Sequence, residues 1–162
     1  AGLYSAVLNE SAALALKAYP PNLGLSPKAT PEERLHAFVR SFLLRVYSEG
    51  AHSCHSRLMS RELVEPTPAL DLLAKQTVAP MAAQLRGIIR TLAGTAASEA
   101  DIRRCSLSVV SQVLFYHHGR PMIDRVFPGF RMDAAEIEAL ASHITQFSLA
   151  GIRQLKSRTQ KR

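Results

Sequence analysis

The sequence predicts an all-α domain of about six helices, because apolar residues recur at spacings of three and four through most of the chain. No stretch alternates β-branched and polar residues with a period of two, which is the pattern of a half-buried strand. Hydroxyl or carboxylate residues precede several apolar stretches, as is typical of helix starts. The length of 162 residues predicts one domain, residues 1–157, with a basic disordered tail at 158–162.

Each predicted helix begins or ends at a recognisable residue. Pro20 and Pro21 stop the first helix, because proline lacks a backbone N–H and clashes with the preceding turn. Thr30 and Glu33 form a capping pair at the start of the second helix, and glycines end several of the others. The predicted helices span residues 3–19, 31–49, 55–65, 67–93, 98–118 and 133–157.

The helix at residues 98–118 carries the broadest apolar surface. Ser98 and Asp101 cap its first turn, and apolar residues then cover most of its circumference. Such a helix is buried on several sides, so we predict that it lies at the centre of the domain. The helix at residues 67–93 contains Pro80, and we expect a kink there.

Composition excludes several classes of function for this chain. The net charge is +7, but five basic residues without an acid lie in the last ten positions, which favours a basic tail over a nucleic-acid groove. No apolar stretch approaches the roughly 20 residues that cross a bilayer, and the first residues lack the pattern of a signal peptide. Cys54 and Cys105 form no metal or redox motif, which is typical of a cytoplasmic protein. No motif places a nucleophile beside a base, so we expect no enzyme.

Several segments resemble the C-terminal domain of TetR-family transcriptional regulators, specifically the CecR-like branch. The first segment, Leu58 to Leu92, contains R-E-L-x-x-P-T-x-A-L, and the second, Leu107 to Pro121, contains Q-x-L-F-Y-x-x-x-R-P. His143 to Gly151 is similar to the last helix of this branch. Together these segments cover most of residues 55–152.

The resemblance implies a transcriptional regulator, in this family a DNA-binding repressor. Residues Leu3 to Leu8 resemble the helix that follows the DNA-reading helix-turn-helix, which is not found in this chain. The chain is therefore expected to be the effector-binding and dimerisation half, without specific DNA binding of its own. Effector binding is expected to shift the first helix and so change the separation of the DNA-binding heads.

The family architecture implies a small-molecule cavity between the helices at 31–49, 55–65, 67–93 and 98–118. We expect an apolar or amphipathic effector there and no cofactor, although each apolar candidate could instead be an ordinary core residue. Arg61 and Glu62 allow two interpretations, a contact with the effector or a helix-end contact near Pro66, and we favour the second. The candidate ligand-binding residues are Phe38, Phe42, Met59, Glu62, Leu63, Met81 and Phe115.

The same architecture implies a homodimer in which residues 98–118 and 133–157 of two subunits form a four-helix bundle. The last helix has two apolar stripes, one for its own core and one available for a partner. The candidate interface residues are Val109, Val113, Ile144, Phe147, Ser148 and Gly151.

Two alternatives to an effector-binding domain remain open. His52, Cys54 and His55, with His117 or His118, are residue types that suit zinc, although their spacing matches no established site. A metal-sensing version of the domain would use them, whereas surface histidines in a loop are the simpler interpretation. The other alternative is a helical dimerisation module that binds no ligand.

Overall fold

The computed structural model describes the backbone of residues 2–47, 51–95 and 97–159, and the side chains of residues 2–47, 55–95 and 97–155. This described part is helical and contains no strand, which confirms the predicted fold class. The elements are α1 (Gly2–Ala18), α2 (Pro31–Tyr47), α3 (Ala51–Val64), α4 (Pro68–Leu73), a π-helical turn (Ala74–Val78), α5 (Ala79–Ala93), α6 (Glu99–His118), α7 (Arg120–Val126) and α8 (Ala134–Thr159).

The predicted helix starts are confirmed by their hydrogen bonds. Thr30 Oγ1 accepts from the Glu33 N–H at 3.2 Å, and Glu33 Oε2 accepts from the Thr30 N–H at 2.7 Å. Ser98 Oγ accepts from the Asp101 N–H at 3.1 Å, and Asp133 caps α8 in the same way. These bonds satisfy N–H groups that the first turn leaves free.

The interruption predicted at Pro80 takes the form of a π-helical turn. The turn Ala74–Val78 lies directly before α5, in which Pro80 is among the first residues. At its end the Ala79 N–H donates to the carbonyl of Ala74, five residues earlier, instead of four. Because Pro80 offers no N–H, the helix continues past it through this wider turn, and α4 and α5 form one interrupted rod.

Four helices, α2, α5, α6 and α8, enclose the large core. Leu35 and Val39 of α2, Ile89 of α5, Val113 of α6 and Ile144 of α8 are all 0% exposed and belong to one apolar cluster. Burying each such side chain stabilises the fold by roughly 1.5–3 kcal/mol. This cluster therefore dominates the stability of the domain.

A second and smaller apolar cluster lies between α1, α3 and α4. Its buried members are Leu8, Ala12, Ala69 and Leu73, and Met59 of α3 packs against it. We call this cluster the small core. It is separate from the large core, so α1 is held by α3 and α4 and by polar contacts to α2.

The outer face of α6 differs from the expectation of burial on nearly all sides. Leu107 is 60% exposed and Phe115 is 63% exposed, whereas Val109 and Val113 on the opposite face are buried. On the neighbouring helix α8, Phe147 is 67% exposed. The broad apolar surface of α6 is therefore only partly buried within the single chain.

Gly119 ends α6 as predicted, but its φ of −77° is not the left-handed conformation that usually favours glycine at this position. A Cβ atom at Gly119 would lie 2.6 Å from the carbonyl oxygen of Phe115, so the reason for glycine is a close approach of the backbone. Arg120 then fixes α7 by donating to Asp124 at 2.6 Å and to the Phe130 carbonyl at 3.2 Å.

The last helix continues to Thr159, past the predicted end of the domain at residue 157. Residues 160–162 of the predicted tail lie outside the described residues. None of the helices in the described part of the chain is long and apolar enough to cross a bilayer.

Candidate functional site

Polar side chains lie where α3 meets the large core. Ser56 and Ser60, one turn apart on α3, place their hydroxyls 2.9 and 3.3 Å from Nε2 of His117 on α6. The ring of Tyr47 packs edge-on against the His117 ring, with centroids 5.7 Å apart. We call Tyr47, Ser56, Ser60 and His117 the polar seam.

The Tyr47 hydroxyl is the unusual member of the polar seam. Its oxygen is buried and has no hydrogen-bond partner among the described residues. Burial raises the pKa of Tyr47 to about 12, so the group stays protonated and offers a donor. An unsatisfied buried hydroxyl costs about 1–3 kcal/mol, which a group able to accept its hydrogen bond would recover.

Burial, together with the neighbouring His118, lowers the pKa of His117. The ring is therefore neutral at pH 7 and offers one donor and one acceptor. His117 packs against Tyr47 and His118, with a centroid distance of 5.0 Å to His118. The polar seam can thus bind an uncharged polar group.

Arg45 joins the end of α1 to α2. Its side chain is buried, and Nη1 donates to the Tyr19 carbonyl at 2.8 Å and to the Ser41 hydroxyl. Burial lowers the pKa of Arg45 to about 10, so the guanidinium stays charged at neutral pH. The sequence analysis missed this residue, although its spacing from Phe38 and Phe42 places a charge on the apolar face of α2 and could have indicated it.

Glu62 joins α1 to the end of α3. Its side chain is 0% exposed, and it accepts from the Tyr4 hydroxyl at 2.8 Å and from the Thr67 N–H at 3.1 Å. Burial raises the pKa of Glu62, but the hydrogen bonds from Tyr4 and Thr67 outweigh that effect, so the pKa lies below its usual value. This geometry agrees with the second interpretation of Glu62, a contact at the helix end near Pro66, and not with a contact to an effector. Arg61, by contrast, is exposed, with its Nε 4.0 Å from the Glu65 carboxylate.

The structure distributes the candidate ligand-binding residues over three environments. Phe38 is buried in the large core, and Phe42 and Met81 pack against it. Met59 packs against the small core, and Glu62 makes the helix contact described above. The remaining two candidates are exposed, Leu63 by 50% and Phe115 by 63%.

The candidate interface residues lie on two faces of α6 and α8. Val109, Val113 and Ile144 are buried in the large core. Phe147, Ser148 and Gly151 line a groove of about 210 Å³ between the two helices, which we call the α6–α8 groove. Its other lining residues are Cys105, Ser108, Gln112 and Ile152.

The histidines and cysteines considered for a metal site are only partly described. The side chains of His52 and Cys54 lie outside the described residues. His55 Nδ1 lies 3.4 Å from the Ser11 hydroxyl of α1, while His117 faces Ser56 and Ser60. Among the described side chains, no group of three or more metal-binding residue types is arranged to hold an ion.

The all-helical fold, with its large core and its small N-terminal core, is consistent with the TetR-type regulatory domain that the sequence resemblance implies. Residues 31–152 match the family described as HTH-type transcriptional dual regulator CecR, C-terminal domain. The chain therefore belongs to the CecR C-terminal domain family, which confirms the resemblance, and it is a transcriptional regulator domain. Among curated proteins, no sequence is significantly similar to this chain.

Proposed function

We propose that this chain is the effector-binding and homodimerisation domain of a ligand-responsive repressor whose DNA-binding helix-turn-helix is a separate domain. The observation that carries the proposal is the buried Tyr47 hydroxyl, which has no partner among the described residues. Because an unpaired buried hydroxyl is costly, a ligand that accepts its hydrogen bond gains that free energy on binding. Membership of the CecR family supports the role in transcription.

The proposed effector lies between the two cores, with an uncharged polar group at Tyr47 and His117. Phe42 packs against the large core and Met59 against the small core, and both are partly exposed, so we assign them to the apolar walls of this site. Apolar walls with a few fixed polar groups are typical of small-molecule sites. The effector class is therefore an apolar or amphipathic molecule with a carbonyl or hydroxyl group.

Effector binding at this site would affect the DNA-binding domain by changing the position of α1. The first helix belongs to the small core, and Glu62 fixes Tyr4 at its beginning. An effector that changes the separation of the two cores favours one position of α1 over another, which is how a ligand shifts a conformational equilibrium. The Arg45 contact to the Tyr19 carbonyl would act as the pivot at the other end of α1.

A Tyr47→Phe variant tests the effector site. We expect the purified chain to bind a small molecule with a polar acceptor, detected by native mass spectrometry and by thermal shift over a compound panel. The variant should bind it about 5- to 30-fold more weakly, because an uncharged hydrogen bond of about 1–2 kcal/mol is lost. Without ligand the variant should be at least as stable as the wild type, since it removes a buried hydroxyl that has no partner among the described residues.

Tyr19→Phe is the matched control, because the bond between Arg45 and Tyr19 is made by the Tyr19 backbone carbonyl, which the substitution keeps. This control should keep the wild-type affinity. Equal affinity of the Tyr47→Phe variant and the wild type would show that the polar seam is not the site. If the chain binds no compound of the panel, the remaining hypothesis is a helical dimerisation module that binds no ligand.

The proposed dimer forms through the α6–α8 groove. Phe147 beside the groove and Phe115 on α6 are both more than half exposed, and a second copy would cover them. Gly151 lies within the groove, and a Cβ atom there would meet no atom within 4 Å. The glycine leaves room for another helix, as expected at a closely packed helix pair.

Gly151→Arg tests this interface, with Gly87→Arg as the control. Both glycines lie inside helices with open space beyond Cα, so the same substitution is tolerated by the single chain at both positions. We expect a monomer for Gly151→Arg and a dimer for Gly87→Arg by light scattering. A dimer for both variants would place the interface elsewhere.

We also propose that the regulator acts in the cytoplasm without enzymatic activity. The Ser56 hydroxyl lies 2.9 Å from His117, a distance found in nucleophile–base pairs. No carboxylate among the described residues is hydrogen-bonded to the His117 ring, which a Ser–His catalytic pair would need for orientation. The pair is better suited to binding than to catalysis.

A further inference from the structure

A second cleft lies away from the polar seam, between the loop that joins α1 to α2 and one face of α5. Its volume is about 490 Å³, within the range of small-molecule sites. Leu25, Pro31 and Ile88 give it apolar surface, while Arg34 and Gln84 supply polar groups. We call it the loop cleft.

Arg34 places a fixed positive charge in the loop cleft. Its Nε donates to the Ala29 carbonyl at 3.0 Å and its Nη2 to the Pro27 carbonyl at 2.6 Å, so the guanidinium is held by the loop. The two nearest carboxylates in sequence are engaged elsewhere: Glu33 is bonded to the helix start, and Glu32 lies 3.5 Å from Arg153. Among the described residues Arg34 forms no ion pair, and its charge can meet an anion.

Gly87 forms part of the cleft wall within α5. Glycine inside a helix weakens the helix, so its presence calls for a local reason. No atom lies within 4 Å of the position that a Cβ atom would take, which means that packing within the described chain does not require glycine here. What the missing side chain provides is space in the cleft, which Leu25 and Ile88 also line.

We propose that the loop cleft binds a small amphipathic carboxylate. The carboxylate would pair with the guanidinium of Arg34, and the apolar body would lie over Gly87 between Leu25 and Ile88. The single positive charge of Arg34 balances one carboxylate, whereas it would leave a doubly charged phosphate partly unpaired beside the apolar surface. This site is distinct from the proposed effector site, and its occupant would hold the loop against α5.

The test is an NMR titration of the isotope-labelled 162-residue chain with octanoate and, separately, with 1-octanol. We expect octanoate to shift the amide signals of Arg34, Gly87 and Ile88 in a saturable way. Gly87→Phe, which fills the cleft, should weaken octanoate binding at least tenfold. Arg34→Gln should weaken octanoate binding to the same degree and leave the weaker 1-octanol binding unchanged.

Ala83→Phe is the matched control, because Ala83 is an exposed small residue of the same helix that does not line the cleft. It should bind octanoate as the wild type does. Gly87→Ala, with a smaller side chain, should weaken binding less than Gly87→Phe and guards against a folding defect in the larger variant. The proposal is overturned if octanoate does not bind, if the shifted signals lie away from the cleft, or if Gly87→Phe and Ala83→Phe bind equally.

Discussion

Glycines that are alike in sequence differ in what the structure requires of them. At Gly87 and Gly151 a Cβ atom would meet nothing within 4 Å, whereas at Gly119 it would lie 2.6 Å from the Phe115 carbonyl oxygen. The obstacle at Gly119 is backbone, which cannot rotate away as a flexible side chain could. Of these three positions, only Gly119 requires glycine for the fold itself.

Alanine substitutions separate these two kinds of glycine. We expect Gly119→Ala to lower the free energy of unfolding by about 1–3 kcal/mol, because the junction of α6 and α7 must shift to admit the methyl group. Gly87→Ala should raise it by about 0.5–1 kcal/mol through better helix propensity. Urea denaturation measures both, and a Gly119→Ala variant as stable as wild type would refute the close-approach argument.

His55 makes the stability of the domain depend on pH. Burial, and then the charge of Arg45, lower the pKa of His55 to about 4. An unfolded histidine titrates near pH 6.5, so between about pH 6.5 and 4 the unfolded chain binds more protons than the folded one. Stability should therefore fall as the pH falls through this range, and the lowered pKa of His117 acts in the same direction.

The urea midpoint at pH 7 and pH 5 measures this dependence. We expect the difference between the two midpoints to be smaller in His55→Gln than in the wild type. His143→Gln, which changes an exposed residue of α8, should keep the full difference. If both variants show the same difference as the wild type, His55 is not the source of the pH dependence.

At the scale of the helices, local signals predicted where each element starts. The bonds within the Thr30–Glu33 and Ser98–Asp101 pairs involve residues three apart, so the sequence contains all the information they need. Pro80 likewise indicated an interruption, since its effect acts on the preceding turn. The π-helical form of that interruption depends on the packing of both halves of the rod and could not be read from proline alone.

The contact between α1 and α3 can be tested by a double-mutant cycle. Tyr4→Phe and Glu62→Gln each remove part of the hydrogen bond at 2.8 Å, so both single variants should be less stable than the wild type. The double variant should lose less than the sum of the two, because the residues share one bond. Additive losses in urea denaturation would mean that the two residues stabilise the domain independently.

For the whole molecule, the difference in size between the two cores predicts which helices unfold locally first. The small core has four buried members, whereas the large core has eighteen among the described residues. Regions with few buried apolar contacts open at a lower free energy than the rest of a protein. We expect hydrogen exchange in α1 and α4 to occur by partial opening, before exchange of α2, α5 and α6.

Native-state hydrogen exchange at rising denaturant measures this order. The amides of Leu8 and Leu73 should exchange through an opening of lower free energy than those of Val39 and Ile89. A single global opening for all four would mean that the two cores unfold as one unit. Effector binding between the cores should raise the hydrogen-exchange protection of Leu8 and Leu73 more than that of Val39 and Ile89.

The fold was largely predictable from the sequence, but the geometry of the candidate site was not. Helical periodicity identified the apolar positions, yet it could not say whether Phe115 faces a cavity, the core or solvent, and Phe115 is exposed. The polar seam depends on residues more than fifty positions apart, such as Ser56 and His117. Their meeting is decided by tertiary packing, which spacing along the chain does not encode.

The wide turn at Ala74–Val78 also affects how the chain can vary in length. A π-helical turn holds one more residue than an α-helical turn, so the loss of one residue here would convert it into an α-helical turn. Loss of one residue here would therefore leave Leu73 facing the small core and Leu85 facing the large core. Loss of one residue within α5 would instead rotate the rest of the rod by about 100°. A single-residue deletion at the turn should thus keep the register of both cores, although it brings Pro80 against an α-helical turn, whereas a deletion on either side of the turn should be selected against.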